Sequence, residues 1–193
     1  MPFFPFRFHR TQAPALPAPE DVLDFWRELG GPHWLVQDES VERALEARFL
    51  VCHEAAARGE LLRWMGSAES ALALILLLDQ FPRLCFRDTV RMFATDAMAL
   101  QLTQKALSAG YDMVTPTGLR VFFYLPLMHD ENLGSQFRSL ALCAPLGGAA
   151  RQRSLENYAV IEQFGRFPQR NALLERANTA EEQAYLDAHN ALD

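Results

Sequence analysis

The stretch that most constrains the fold runs from Ala71 to Gly110, ALALILLLDQFPRLCFRDTVRMFATDAMALQLTQKALSAG. Its unbroken apolar run, Ala71 to Leu78, is built of alanine and leucine with only Ile75 β-branched, which favours helix over strand. A helix that is apolar on every side has to lie at the centre of a core. Ser67 is positioned to cap it, and it is predicted to run from Ala68 to Gln80, with Pro82 as its stop. Asp88 is expected to cap a long successor that buries Val90, Phe93, Ala97, Leu100 and Leu107 and ends at Gly110. Between the two helices sits a polar corner, Asp79, Gln80, Phe81, Pro82 and Arg83.

The rest of the chain repeats the pattern of apolar helices broken by polar corners. Pro19 fits a first helical position, Val22, Phe25, Trp26 and Leu29 follow at helical spacing, and Gly30-Gly31-Pro32 ends the segment. Asp38 or Ser40 can cap a second helix with Val41, Leu45, Phe49, Cys52 and Ala56 on one face and Gly59 as its stop. Leu119 to Leu125 is expected to be helical, broken or kinked by Pro126 just before His129, Asp130, Glu131 and Asn132. Leu133, Phe137, Leu140 and Ala141 suggest the apolar face of a sixth helix, and Leu155, Tyr158 and Ile161 that of a seventh. A third corner, Gly165 to Asn171, precedes a capping box of Thr179 and Glu182 that opens a last helix, Ala180 to Asn190. No strand signature occurs, so the expected class is all-α: about eight helices in a stack of antiparallel hairpins. Residues 19–193 are read as one domain, and residues 1–18, where Phe3, Phe4, Phe6 and Phe8 alternate with proline and arginine, as an extended arm docked on the body or on a second copy.

At 193 residues the chain is long enough for a core that needs no disulfide or metal. A formal net charge of -6 disfavours a phosphate-backbone grip on nucleic acid, and no apolar run is long enough to span a bilayer. Cys52, Cys85 and Cys143 stand far apart among apolar neighbours, as reduced thiols of a cytoplasmic protein would. Pro2, Pro5, Arg7 and Arg10 interrupt the apolar core that a secretory signal requires, although the lack of acidic residues before Glu20 leaves a transit peptide open.

Several phrases, LALILLLDQFPR, FATDAMAL, FYLPLMH and IEQFGRFPQRN, closely resemble the bacterial family of unknown function numbered 924, in order and spacing from about Val22 to Tyr185. The resemblance implies a helical fold like that of tetratricopeptide repeats and brings no established activity with it. Four positions depart from the family's usual pattern: Leu84 for an asparagine after DQFPR, Met128 for a glutamate before His129, and Asn157 and Gln169 for histidines.

Among the basic residues only Lys105 is a lysine; all the others are arginines, whose planar fork suits carboxylate and phosphate. If the helix resumes at Arg83, then Arg83, Arg87 and Arg91 share a face, and Arg166 and Arg170 repeat the interval on another corner. Convergence of these corners predicts an arginine-lined groove of Asp79, Gln80, Arg83, Arg87, Glu131, Arg166, Arg170 and Asn171, in which Asp79 and Glu131 orient the arginines. The bland alternative is a buried ion pair pinning helix ends together, with Asn171 capping a turn. Asp96, turned toward the apolar side of its helix, needs either an arginine partner or a role as general base, and His129 is the second acid–base candidate. No GxGxxG, P-loop, GxSxG, paired CxxC or HExxH occurs, so neither cofactor nor metal is expected. Three roles follow: a binding module for a protein, a peptide or a small anion; an enzyme using His129 or Asp96 on an acidic substrate; or a structural protein that dimerises through its aromatic arm.

Overall fold

A computed structural model describes residues 16–30 and 38–190, so residues 1–15 of the aromatic arm, with Phe3, Phe4, Phe6 and Phe8, and residues 31–37 and 191–193 lie outside the described residues. The fold is all-α, and the described residues contain no strand. Helices α1 (Pro19–Leu29) and α2 (Glu39–Ala57) follow their sequence signals. Gly30 takes a positive φ of 73° after α1, and the Asp38 carboxylate accepts the Ser40 and Val41 amides to cap α2. At the centre, α3 (Ala68–Ile75) passes into a π turn, Leu76–Gln80, and then into α4 (Phe81–Cys85). Every residue from Ala71 to Pro82 is buried.

Pro82 therefore does not stop the helix as expected; the π turn absorbs it. The Phe81 amide reaches back to the Leu76 carbonyl, one residue further than in an α-helix, which leaves carbonyls around the proline without their usual donors. Side chains from other elements supply them. His53 on α2 places Nδ1 2.8 Å from the Leu77 carbonyl, Thr95 donates its hydroxyl to Leu78 at 2.5 Å, and Arg83 donates to Asp79 at 3.0 Å. The His53 ring stacks on Phe81, with centroids 4.7 Å apart.

The successor helix starts later than expected. Asp88 caps nothing but adopts a left-handed turn conformation, φ 58°, a short 3₁₀ segment covers Val90–Phe93, and α5 runs over Asp96–Ser108. This shift rotates the buried face to Ala99, Leu102, Thr103 and Ala106, leaving Val90 and Ala97 exposed. After α6 (Tyr111–Val114), α7 (Thr117–Met128) is not broken by Pro126, which it contains, and carries His129 at its C-cap.

The last helices correct two further expectations. Helix α8 (Leu133–Cys143), capped by the Asn132 side chain, buries Gln136, Ser139 and Cys143, while Leu133 and Phe137 stand 46% and 65% exposed. Helix α9 (Gly148–Phe164) buries Ser154 and Ile161 rather than Leu155. The polar choice on α8 has a purpose: Gln136 Nε2 lies 2.6–3.1 Å from the carbonyls of Leu127, Met128 and Asp130, the frayed end of α7. Helix α10 (Ala180–Asn190) opens with the expected box, Thr179 N–H to Glu182 Oε2 at 2.7 Å and Glu182 N–H to Thr179 Oγ1 at 3.2 Å. Consecutive helices pack on one another, α7 on α8 and α8 on α9, an arrangement compatible with a hairpin stack.

Candidate functional site

The π turn, the C-terminal end of α7 and the Phe167–Asn171 corner meet around one cleft of about 540 Å³. Arg83, Arg87, Arg153 and Arg170 line it together with Gln80 and His129, and its apolar lining includes Leu84, Met92, Leu125 and Leu173. An adjoining cleft of about 340 Å³ shares Phe93, His129 and Arg170 with it and adds Asp96, Asp130 and Glu131. The polar corners around Asp79, His129 and Arg170 thus converge in space.

Asp79 is fully buried at the heart of this junction. Its Oδ1 lies 2.7 Å from His129 Nδ1 and 3.5 Å from Arg83 Nη1, and its Oδ2 accepts Gln80 Nε2 at 2.6 Å. Burial pushes the carboxyl up, but His129, Arg83 and the two hydrogen bonds outweigh it and hold the pKa down at about 2. Burial and the neighbouring Arg83 lower the His129 pKa, against the pull of Asp79 and Asp96. The imidazole is therefore neutral at pH 7, with Nδ1 donating to Asp79 and its lone pair on Nε2.

Arg83 is matched to acids: a bidentate pair with Asp96 at 2.8 and 2.9 Å adds to its contacts with Asp79. Asp96 is accordingly an anchor at the start of α5, with both oxygens occupied, rather than a lone carboxylate poised as a base. Arg170 differs. Its side chain is 15% exposed and its nearest carboxylate oxygen, Asp96 Oδ2, is 3.9 Å away. The guanidinium lies against the rings of Phe93 and Phe167, 4.9 and 4.5 Å from their centroids, and donates no hydrogen bond to any described residue. Burial, then Arg83, lowers its pKa.

Other predicted site residues go elsewhere. The chain leaves helical geometry after Cys85, so Arg83, Arg87 and Arg91 do not share a face: Arg87 pairs with Glu42 on α2 at 2.7 Å, and Arg91 stacks on Phe86 at 3.8 Å. Arg87 still borders the cleft. Arg166 binds Glu182 through two contacts of 2.6 and 2.7 Å, and Asn171 bridges Asn178, Glu182 and Arg176. Glu131 accepts the Phe167 amide at 2.8 Å and pairs with Arg176 at 2.6 Å. Arg166, Asn171 and Glu131 thus belong to a clasp that fixes the corner carrying Arg170. Of the acids beside His129 in sequence, Asp130 takes the Ser135 hydroxyl instead.

Sequence reading missed Arg176, the keystone of this clasp, and Arg153, a cleft residue on α9. It also missed the His129–Asp79 pair, whose members are 50 residues apart. One signal did exist. Leu84, Met128, Asn157 and Gln169, the four departures from the family pattern, all line the main cleft. Among the described residues, no group of three or more His, Cys, Asp or Glu could hold a metal ion, and no helix is long and apolar enough to cross a membrane.

A solved structure of a protein of unknown function from Agrobacterium tumefaciens superposes on the chain with a TM-score of 0.86 at 45% sequence identity, covering 88% of this chain and 97% of that one. No curated protein matches. The model of a family described as bacterial protein of unknown function, DUF924, matches residues 22–190. With both the match over most of its length and the shared fold, the chain belongs to that family.

Proposed function

We propose that the cleft binds a small anionic molecule with an apolar body, a carboxylate or a phosphate monoester held by Arg170. The observation that carries this reading is the state of Arg170: a largely buried guanidinium, walled by two aromatic rings, with no acceptor within hydrogen-bond distance among the described residues. A guanidinium offers five donors, and leaving them unmet in a desolvated site is costly unless a ligand or water meets them. Arg83, Arg87 and Arg176 are matched to Asp96, Glu42 and Glu131, and Arg153, the other arginine lining the cleft, is exposed to solvent where Arg170 is largely buried. The cleft volume suits a small molecule, and its wall of Leu84, Met92 and Leu125 suits an apolar body next to the charge.

Calorimetric titration with glutarate, phenylacetate and phenyl phosphate tests this. At least one of the three binds, and Arg170→Gln weakens it tenfold or more. Binding by none of them, or equal binding by the variant, refutes the reading.

A further inference from the structure

His129 is presented to the ligand space in one tautomer. Asp79 receives its Nδ1–H at 2.7 Å, and Gln80 and Arg83 hold that carboxylate in turn. A fully buried carboxylate is expensive, and a pin between the π turn and the end of α7 could be made as well from apolar side chains. What the ionised aspartate adds is orientation: it fixes the ring and leaves the Nε2 lone pair free. Nε2 has no hydrogen-bond partner among the described residues, and His129 lines both clefts alongside Arg170. The charged groups around the ring are Asp79 and Arg83 from the central helix, Asp96 from α5, Arg170 from the C-terminal corner, and Asp130 and Glu131, which follow His129 and line the smaller cleft with it. Burial keeps the imidazole neutral, as a proton acceptor must be.

The linings also narrow the source of the proton. Neither cleft is lined by serine, threonine, cysteine, tyrosine or lysine. Among the described residues, no hydroxyl, thiol or amine lines either cleft for His129 to activate, which leaves water or the ligand itself as the source of the proton.

We infer that His129 is a general base that activates water for hydrolysis of a carboxylic ester whose acid portion carries a second anionic group. This rests on Arg170 holding that group, as proposed above. The water oxygen bonds to the ester carbonyl carbon while its proton passes to His129 Nε2 and the carbonyl π pair moves onto oxygen. That oxyanion collapses and expels the alkoxide, which takes the proton back from Nε2. The products are a carboxylic acid and an alcohol, with no redox change. Asp79 stays ionised throughout and stabilises the transient imidazolium.

The assay uses mono-4-nitrophenyl glutarate and follows 4-nitrophenolate release, with 4-nitrophenyl butyrate as the uncharged control. The full-length protein hydrolyses the glutarate ester faster than the butyrate ester. His129→Gln, which keeps a hydrogen-bonding group toward Asp79, lowers kcat about 100-fold or more yet leaves the anion titrations intact. Arg170→Gln lowers both turnover of the glutarate ester and anion binding. The wild-type rate rises with pH as the imidazolium loses its proton below pH 6.5, then stays level through pH 8, a profile absent from His129→Gln. An anion that binds while the wild type hydrolyses the ester no faster than His129→Gln overturns the base assignment and leaves the binding reading standing. Failure of all three anions to bind removes the binding reading first, and this inference with it. An acyl group found on His129 by mass spectrometry of quenched reactions overturns water activation in favour of direct attack.

Discussion

Replacing Asp79 by asparagine keeps the shape and the acceptor for His129 while removing one buried charge. In a chain without structure this carboxyl titrates near 3.8, whereas in the fold His129, Arg83 and Gln80 bring it to about 2 despite complete burial. Each tenfold change in proton affinity is worth about 1.4 kcal/mol, so ionised Asp79 contributes roughly 2 kcal/mol to the folded state. The sign is set by the direction of the shift. A depressed pKa stabilises the fold above the unfolded value and loses that contribution as pH falls from about 4 toward 2. Urea unfolding of the wild type and Asp79→Asn, followed by circular dichroism at steps from pH 7 to pH 2, therefore gives a stability gap of roughly 2 kcal/mol near pH 4, where His129 is charged, that narrows as pH falls toward 2. His53, whose pKa burial lowers from 6.5, makes the fold less stable as pH falls below that value. That loss is common to both proteins, whereas His129, whose pKa Asp79 raises against burial, costs Asp79→Asn more to protonate, so the gap first widens below pH 6.5 and its narrowing below pH 4 is the quantity to follow. A gap that does not narrow as pH falls from 4 toward 2 would refute the assignment of a stabilising charge to Asp79.

Three further outcomes follow from the packing. Thr95→Val leaves the buried Leu78 carbonyl without the donor that Pro82 made necessary, and equilibrium unfolding should show a loss of about 1–3 kcal/mol. Arg176→Ala releases Glu131, Asn171 and the Phe167 carbonyl together, and amide exchange across the Phe167–Asn171 corner should quicken while exchange in α3 is unchanged. Phe137→Ser, at a position 65% exposed, should alter stability by no more than about 0.5 kcal/mol.

What the sequence disclosed depended on whether a signal was local. The Asp38 cap, the positive φ of Gly30, Gly59 and Gly110, and the Thr179–Glu182 box each involve neighbours within a few residues, and each stands where the sequence put it. Pro82 misled because its cost is offset by Thr95 and His53, which come from other elements. The buried faces of α8 and α9 were misread for a related reason. Leu133, Phe137 and Leu155 carry the apolar signal, but the end of α7 needs hydrogen-bond donors, which Gln136 and Asn157 supply.

The candidate site divides along the same line. Asp79, Gln80, Arg83, His129 and Arg170 meet around the clefts as the polar corners suggested. Arg166 and Asn171 lie a few residues from Arg170 in sequence but are claimed by Glu182, a helix away. Which largely buried arginine is left without a close carboxylate is a property of the whole set of pairs. No motif could have singled out Arg170.

The most direct measurement of the central claim follows side-chain Nε–H resonances of 15N-arginine-labelled protein during titration with phenyl phosphate. Arg170 should show the largest displacement, while Arg166 and Arg176, locked to Glu182 and Glu131, hold their positions. Displacements scattered over exposed arginines, with Arg170 unmoved, would contradict the account.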